Sequence, residues 1–228
     1  MSYNRNFFCW SMAMVNKNNY NEGDKIILPM AEFSLLQPDE TGGPICLKIK
    51  NPKHDGFIHV GVLEFSTVEG NCHLPHWLMF QLLLDEGDPV EVSRVSNVSS
   101  AEFVKMRPQT QEFLQLTDPK AVLEVALRKF TYLTVNSWIC IRYCDNDYFL
   151  DVIELRPGDV ACVLDTDCIL EFENSEGVKQ SGENHGEVKS TEEELISEPV
   201  RRPTKKSKNY DIRRFPGKGY RLGNGSET

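Results

Sequence analysis

Core-forming residues stop at Phe172. The stretch from residue 174, "NSEGVKQSGENHGEVKSTEEELISEPVRRPTKKSKNYD", offers almost no apolar side chain. It cannot bury enough surface to offset the entropy of ordering, so residues 174–228 read as a disordered tail. Any packed core must come from residues 1–173. One island interrupts the tail: "RRFPGKGYRLG", Arg213 to Gly223, carrying Phe215, three glycines and Leu222.

Charge follows the same division. Residues 1–170 hold 14 Lys and Arg against 23 Asp and Glu. Residues 171–198 hold 2 Lys against 9 Glu, and residues 199–228 hold 9 Lys and Arg against Asp211 and Glu227. An acidic folded part repels phosphates, which argues against nucleic acid as a partner. The basic cluster "RRPTKKSK" (201–208) reads as a nuclear import signal or a solvated stretch of tail.

The seven cysteines, at 9, 46, 72, 140, 144, 162 and 168, are odd in number and form no Cys-x-x-Cys. They read as reduced, mostly buried thiols of a cytoplasmic and/or nuclear protein. No apolar run approaches the ~18–20 residues that span a bilayer, so no membrane insertion is expected. "FFCWSMAMV" is too interrupted, at Ser11, for a signal peptide. The sequons at Asn97 and Asn224 are expected to carry no glycan.

Short apolar runs punctuated by turn residues dominate the first half. Residues 7–15, 24–29, 45–51, 59–66, 72–74 and 89–95 read as strands, with Gly61 a point of close approach. Residues 31–37 form a short turn or helix. "PHWLMFQLLLDEG" reads as a helix from Pro75, ended by Gly87, apolar nearly all round and so buried on most sides, Trp77 included. A second unit begins near residue 103. Its helix, "DPKAVLEVALRKF", has Asp118 as cap, Pro119 in the first turn and an apolar face of Val122, Leu123, Ala126, Leu127 and Phe130. Strands at 138–143, 148–155, 160–165 and 168–173 follow. The whole is α+β and mostly β.

Candidate chemistry is sparse. Gly217 and Gly219 give G-x-G, but Leu222 stands where a dinucleotide fingerprint needs its third glycine, and no strand precedes. No phosphate loop of the G-x-x-x-x-G-K-[ST] type occurs. "CHLPH" offers Cys72, His73 and His76, too few for a metal site. A Cys-dependent hydrolase using Cys72 with a histidine is the alternative that an enzyme reading leaves open. Asp145 and Asp147 read as turn formers. No catalytic residue, cofactor or metal is expected.

"GDKIILP", "HVGVLEFSTVEGNCHLPHWLMFQLLLDEGD" and "RPQTQEFLQLTDPKAVLEVALRKFTYLT" resemble the ubiquitin fusion degradation protein 1 family, in order, across roughly residues 7–173. "FPGKGYRLG" resembles that family's SHP box, F-x-G-x-G-x-x-L, with Phe215, Gly217, Gly219 and Leu222 matching position by position. The resemblance implies a double-psi β-barrel over 1–102, a smaller α+β subdomain over 103–173, and a tail over 174–228 with the SHP-type motif at 215–223. It implies a non-enzymatic adaptor that binds ubiquitin chains through its folded part. The SHP box would bind the N-terminal domain of the valosin-containing-protein AAA ATPase. Polyubiquitylated proteins would so be delivered for unfolding and proteasomal degradation, including endoplasmic-reticulum-associated degradation. In the family, nuclear protein localisation protein 4 completes a heterodimer, through a segment beyond the point where this chain ends. No compact motif marks the residues that contact ubiquitin.

Overall fold

Alternating apolar runs and turns produce thirteen strands and two α-helices among residues 3–37 and 42–173, the residues that the computed structural model describes. The first seven strands are β1 (Asn4–Ser11), β2 (Ile26–Pro29), β3 (Cys46–Lys50), β4 (Phe57–Val60), β5 (Val62–Thr67), β6 (Asn71–Leu74) and β7 (Pro89–Val95), with α1 (His76–Gln81) between the last two. They form one mixed sheet in the order β4-β3-β7-β1-β6-β2-β5. Antiparallel pairs β3–β4, β3–β7 and β1–β7 run along one side of the sheet, and on the other the antiparallel pair β2–β6 lies between two parallel pairs, β1–β6 and β2–β5. Parallel pairs need crossover connections, so the chain interlaces here rather than running as a meander.

The remaining elements are β8 (Phe103–Pro108), α2 (Pro119–Leu127), β9 (Tyr132–Thr134), β10 (Trp138–Tyr143), β11 (Asn146–Arg156), β12 (Val160–Cys162) and β13 (Ile169–Phe172). Four of them form a sheet ordered β10-β11-β8-β13, and β9 pairs with β12. Cys144 and Asp145, both at positive φ, make the two-residue hairpin turn between β10 and β11. The Asp118 side chain accepts the Ala121 N–H at 2.9 Å and caps α2, which buries Leu123 and Leu127. The fold is α+β and mostly β, as the sequence implies.

Two strand readings need correction. The run 7–15 stops being a strand at Ser11 and continues as a 3-10 turn, Met12–Val15. Its parallel partner ends at Leu74, and Pro75 beyond it has no N–H to extend the ladder. The run 59–66 breaks at Gly61 into β4 and β5, which pair with different neighbours. A Cβ at Gly61 would lie 2.4 Å from the Thr131 Oγ1, so the close approach comes from a side chain of the second half.

That contact belongs to a seam between the large sheet and the second half. The described residues form one compact unit with a continuous apolar core. Polar groups lock the seam. The buried Asp24 carboxylate accepts the backbone N–H groups of Thr131 and Tyr132. The His59 N–H donates to the Thr134 Oγ1 at 3.0 Å, and the Tyr132 hydroxyl donates to the Pro44 carbonyl at 2.6 Å. Burial pulls the His59 pKa down to about 4, with the nearby Lys48 charge acting the same way, so the ring is neutral. Glu22 pairs with Lys129, and a Cβ on Gly23 would meet the Lys129 carbonyl oxygen at 2.6 Å. Three consecutive residues, Glu22 to Asp24, thus grip the segment from 129 to 132.

Candidate interaction surface

Apolar surface that folding leaves in water marks where a partner would add burial. α1 supplies the clearest case. It does not run to Gly87. The Leu84 N–H bonds the Met79 carbonyl at 2.9 Å and the Leu83 N–H bonds the Phe80 carbonyl at 3.2 Å, with Leu83 left-handed at φ 53°. This is a Schellman stop with leucine where glycine is usual. The buried Asn51 amide donates to the Leu82 and Leu83 carbonyls at 2.9 and 3.0 Å, satisfying acceptors that a longer helix would have used.

Burial in and just after α1 is one-sided, against the expectation of burial on most sides. Trp77, Leu78 and Met79 are in the core, whereas Phe80 is 69% exposed and Leu83 is 65% exposed. Trp77 is a core residue, as expected, and its indole N–H donates to the Gly23 carbonyl at 3.0 Å. Its ring packs against Phe130 and Trp138, with centroids 5.9 and 5.7 Å away.

Trp138 carries the aromatic stack outward. Its ring centroid lies 6.0 Å from that of Phe80 on α1 and 5.4 Å from that of Phe149 on β11. Phe149 is 37% exposed. These three rings line one end of a cleft of about 640 Å³ between α1 and the β10–β11 hairpin. Asn18, Asn21, Glu22, Arg142 and Asp147 line it as well. Arg142 and Asp147 pair at 3.0 Å across the hairpin. Cys140 sits among them, and burial pushes its thiol up to about 11, so it is neutral. The cleft therefore offers three aromatic rings, His76, Glu22 and the Arg142–Asp147 ion pair.

Of the residues weighed for an enzyme, His76 lines this cleft, whereas Cys72 and His73 sit elsewhere. Cys72 is fully buried on β6, paired in register with Cys9 on β1, and burial raises its thiol well above the usual range. A thiol sealed from solvent and held protonated is a poor nucleophile. His73 is buried too, its ring bonded to the Thr67 hydroxyl at 2.9 Å and the Ser11 carbonyl at 3.3 Å. The His76 N–H bonds the Asn21 side chain. Asp145 forms the turn, as expected; Asp147 instead pairs with Arg142. Among the described residues no group of three or more His, Cys, Asp or Glu could hold a metal ion, and no helix is long and apolar enough to cross a membrane. Phe215, Gly217, Gly219 and Leu222, and the cluster 201–208, lie outside the described residues.

The sequence reading missed Phe80, Trp138 and Phe149 as a group. The available signal was the alternation of β10, which puts Trp138, Cys140 and Arg142 on one face. Phe80 reaches that face from α1, a separate element.

Comparison with known proteins completes the picture. Residues 3–98 match the family described as "Ubiquitin fusion degradation protein UFD1, N-terminal subdomain 1", and residues 100–175 match its "N-terminal subdomain 2". The chain is similar to the human "Ubiquitin recognition factor in ER-associated degradation protein 1", 36% identical over 224 residues, covering 96% of this chain and 71% of the human protein. Its mouse counterpart is 37% identical over 182 residues, 78% of this chain and 59% of that protein. The "Ubiquitin fusion degradation protein 1 homolog" of Caenorhabditis elegans is 40% identical over 167 residues, 73% of this chain and 48% of that protein.

Proposed function

This chain belongs to the ubiquitin fusion degradation protein UFD1 family, and from that premise we propose that it is a non-enzymatic adaptor. Its folded part holds ubiquitin chains. The segment from Phe215 to Leu222 engages the N-terminal domain of a valosin-containing-protein-type AAA ATPase. Ubiquitylated proteins are thereby presented for unfolding and proteasomal degradation, including those from the endoplasmic reticulum. The adaptor works in the cytoplasm and/or nucleus.

The observation that carries this reading is the pair of family subdomains, side by side over residues 3–175, in a chain whose human relative is named a ubiquitin recognition factor. The burial of Cys72 supports an adaptor over a Cys-dependent hydrolase. In the tail, Phe215 and Leu222 are apolar anchors. Gly217 and Gly219 have no Cβ to hold the backbone away from a partner's sheet edge.

The test is a titration of the full chain against ubiquitin chains and, separately, against the ATPase N-terminal domain. Both bind the parent. Burying a Phe side chain is worth ~1.5–3 kcal/mol, so Phe215→Ala weakens the ATPase interaction roughly 10- to 150-fold. Ubiquitin binding is unchanged in that variant. A parent that binds neither partner overturns the proposal, and a thiol-directed ubiquitin probe that labels Cys72 would replace it with the hydrolase.

A further inference from the structure

We infer that Cys9 and Cys72 are a latent disulfide pair, which a hydroperoxide closes so that β1 is clamped to β6. The two residues stand in register across the parallel ladder that sets Phe8 to Ser11 of β1 against Asn71 to Leu74 of β6. Neighbouring strands lie about 4.8 Å apart, and residues in register turn their side chains to the same face. That spacing falls within the roughly 4.4–6.8 Å that a disulfide sets between Cα atoms. Both side chains are fully buried in one apolar core, so they share an interior rather than facing opposite sides of the sheet. Among the described residues no other two cysteines pair in register: Cys46 lies opposite Val95, Cys140 opposite Phe149 and Cys162 opposite Tyr132.

The place of this ladder gives the bond its effect. In the sheet order it joins the group β4-β3-β7-β1 to the group β6-β2-β5. A covalent bond across it fastens the two groups together and closes the chain from residue 9 to residue 72 into a loop, which restricts the unfolded state. The chemistry balances with hydrogen peroxide as the oxidant. One thiolate attacks a peroxide oxygen; the S–O bond forms, the O–O bond breaks, and the departing hydroxide takes up the thiol proton as water. The second thiol gives up its proton and attacks the sulfenic sulfur; the S–S bond forms, the S–O bond breaks, and a second water leaves. Two electrons pass from the sulfurs to the peroxide oxygens. Cys9 is the first to react. Its Sγ donates to the carbonyl of the exposed Asp85 at 3.5 Å, and burial, with the Asp88 charge behind it, pushes the thiol up to about 11. Cys72 is fully enclosed, with its thiol held well above the usual range. The sealing that makes Cys72 a poor nucleophile therefore makes closure slow and ties it to opening of the ladder. The result is a fold that holds more tightly once its surroundings turn oxidising.

The experiment treats the full chain with hydrogen peroxide at about pH 8, where more thiolate is present, with and without urea below the unfolding midpoint. Remaining thiols are alkylated, and linked peptides are mapped by mass spectrometry. A Cys9–Cys72 linkage forms, faster in urea, and dithiothreitol returns both thiols. The oxidised chain has an unfolding equilibrium constant about 30- to 1,000-fold smaller than the reduced chain, read by urea denaturation. Cys9→Ala gains nothing from the same treatment, although the exposed Cys144 is oxidised there as in the parent. Should Cys9→Ala not fold, reversal of the gain by dithiothreitol in the parent makes the same comparison. If Cys9 and Cys72 end as separate sulfinic acids, link to other cysteines, or stay thiols even in urea, the pairing is overturned. A Cys9–Cys72 linked chain that unfolds as readily as the reduced one overturns the clamp.

Discussion

Asp24 and Thr131 are joined directly: the buried carboxylate accepts the Thr131 N–H at 2.7 Å across 107 residues of sequence. The same carboxylate takes the Tyr132 N–H at 2.8 Å. Replacing Asp24 with alanine leaves two buried donors without an acceptor, each costing ~1–3 kcal/mol. Asp24→Ala should therefore lose about 2–4 kcal/mol at pH 5, read by urea denaturation. A variant that unfolds at the parent's midpoint would show that the seam does not need this contact.

The same group makes stability depend on pH. Burial pushes the Asp24 pKa up to about 6 from its ordinary 3.8, against the opposing pull of the two backbone N–H groups. The folded state then binds more protons than the unfolded state between those values. Its contribution is full below about pH 4 and declines as pH rises through 6. The gap between the parent and Asp24→Ala should narrow by up to about 3 kcal/mol from pH 4 to 7. A gap that widens with pH would reverse the assignment.

Trp77 fills the core behind the cleft and is only 6% exposed. Trp77→Ala should cost ~3–5 kcal/mol, as other large core truncations do. Trp77→Phe keeps an aromatic ring, smaller than the indole, and loses the hydrogen bond to Gly23, so it should lie between the parent and alanine. A Trp77→Ala protein that melts with the parent yet fails to bind ubiquitin would make Trp77 a surface contact instead.

Gly23 has no room for a side chain. Its Cβ would press on the Lys129 carbonyl oxygen, a backbone atom that cannot swing aside. Gly23→Ala should destabilise by about 1–3 kcal/mol, the usual scale of overpacking. Equal stability would mean that the seam opens without penalty.

Leu83 runs the other way. It is mostly exposed and held at a left-handed φ of 53°, a conformation that costs a non-glycine residue ~1–2 kcal/mol. Leu83→Gly should relieve that strain, partly offset by glycine's greater freedom in the unfolded chain, and stabilise by about 0.5–1 kcal/mol. A lower midpoint would show that Leu83 makes contacts worth more than its strain.

The frame of the fold is legible in the sequence because it rests on local patterns. The runs at 45–51 and 89–95 alternate, and the Asp118–Pro119 start of α2 carries its own cap. What is illegible depends on residues far apart. Nothing near Leu82 announces that Asn51 will cap it, so the helix looks longer and Phe80 looks buried. Nothing near Asp24 announces Thr131. The cleft was hidden for the same reason, since Phe80, Trp138 and Phe149 come from three elements. The match of Phe215–Leu222 to F-x-G-x-G-x-x-L, by contrast, rests on sequence alone and lies outside the described residues.

The grip of Glu22, Gly23 and Asp24 on residues 129–132 also sets a timetable. During synthesis the loop at 22–24 leaves the ribosome with its partners unmade. At ~5–20 residues per second, Tyr132 is added roughly 5–20 s after Asp24. Over that interval Asp24 stays hydrated with an ordinary acidity, and Trp77, once made, has Gly23 to hold but no Phe130 or Trp138 to lie against. The first half of the chain waits, with aromatic surface uncovered, for the second half to close it.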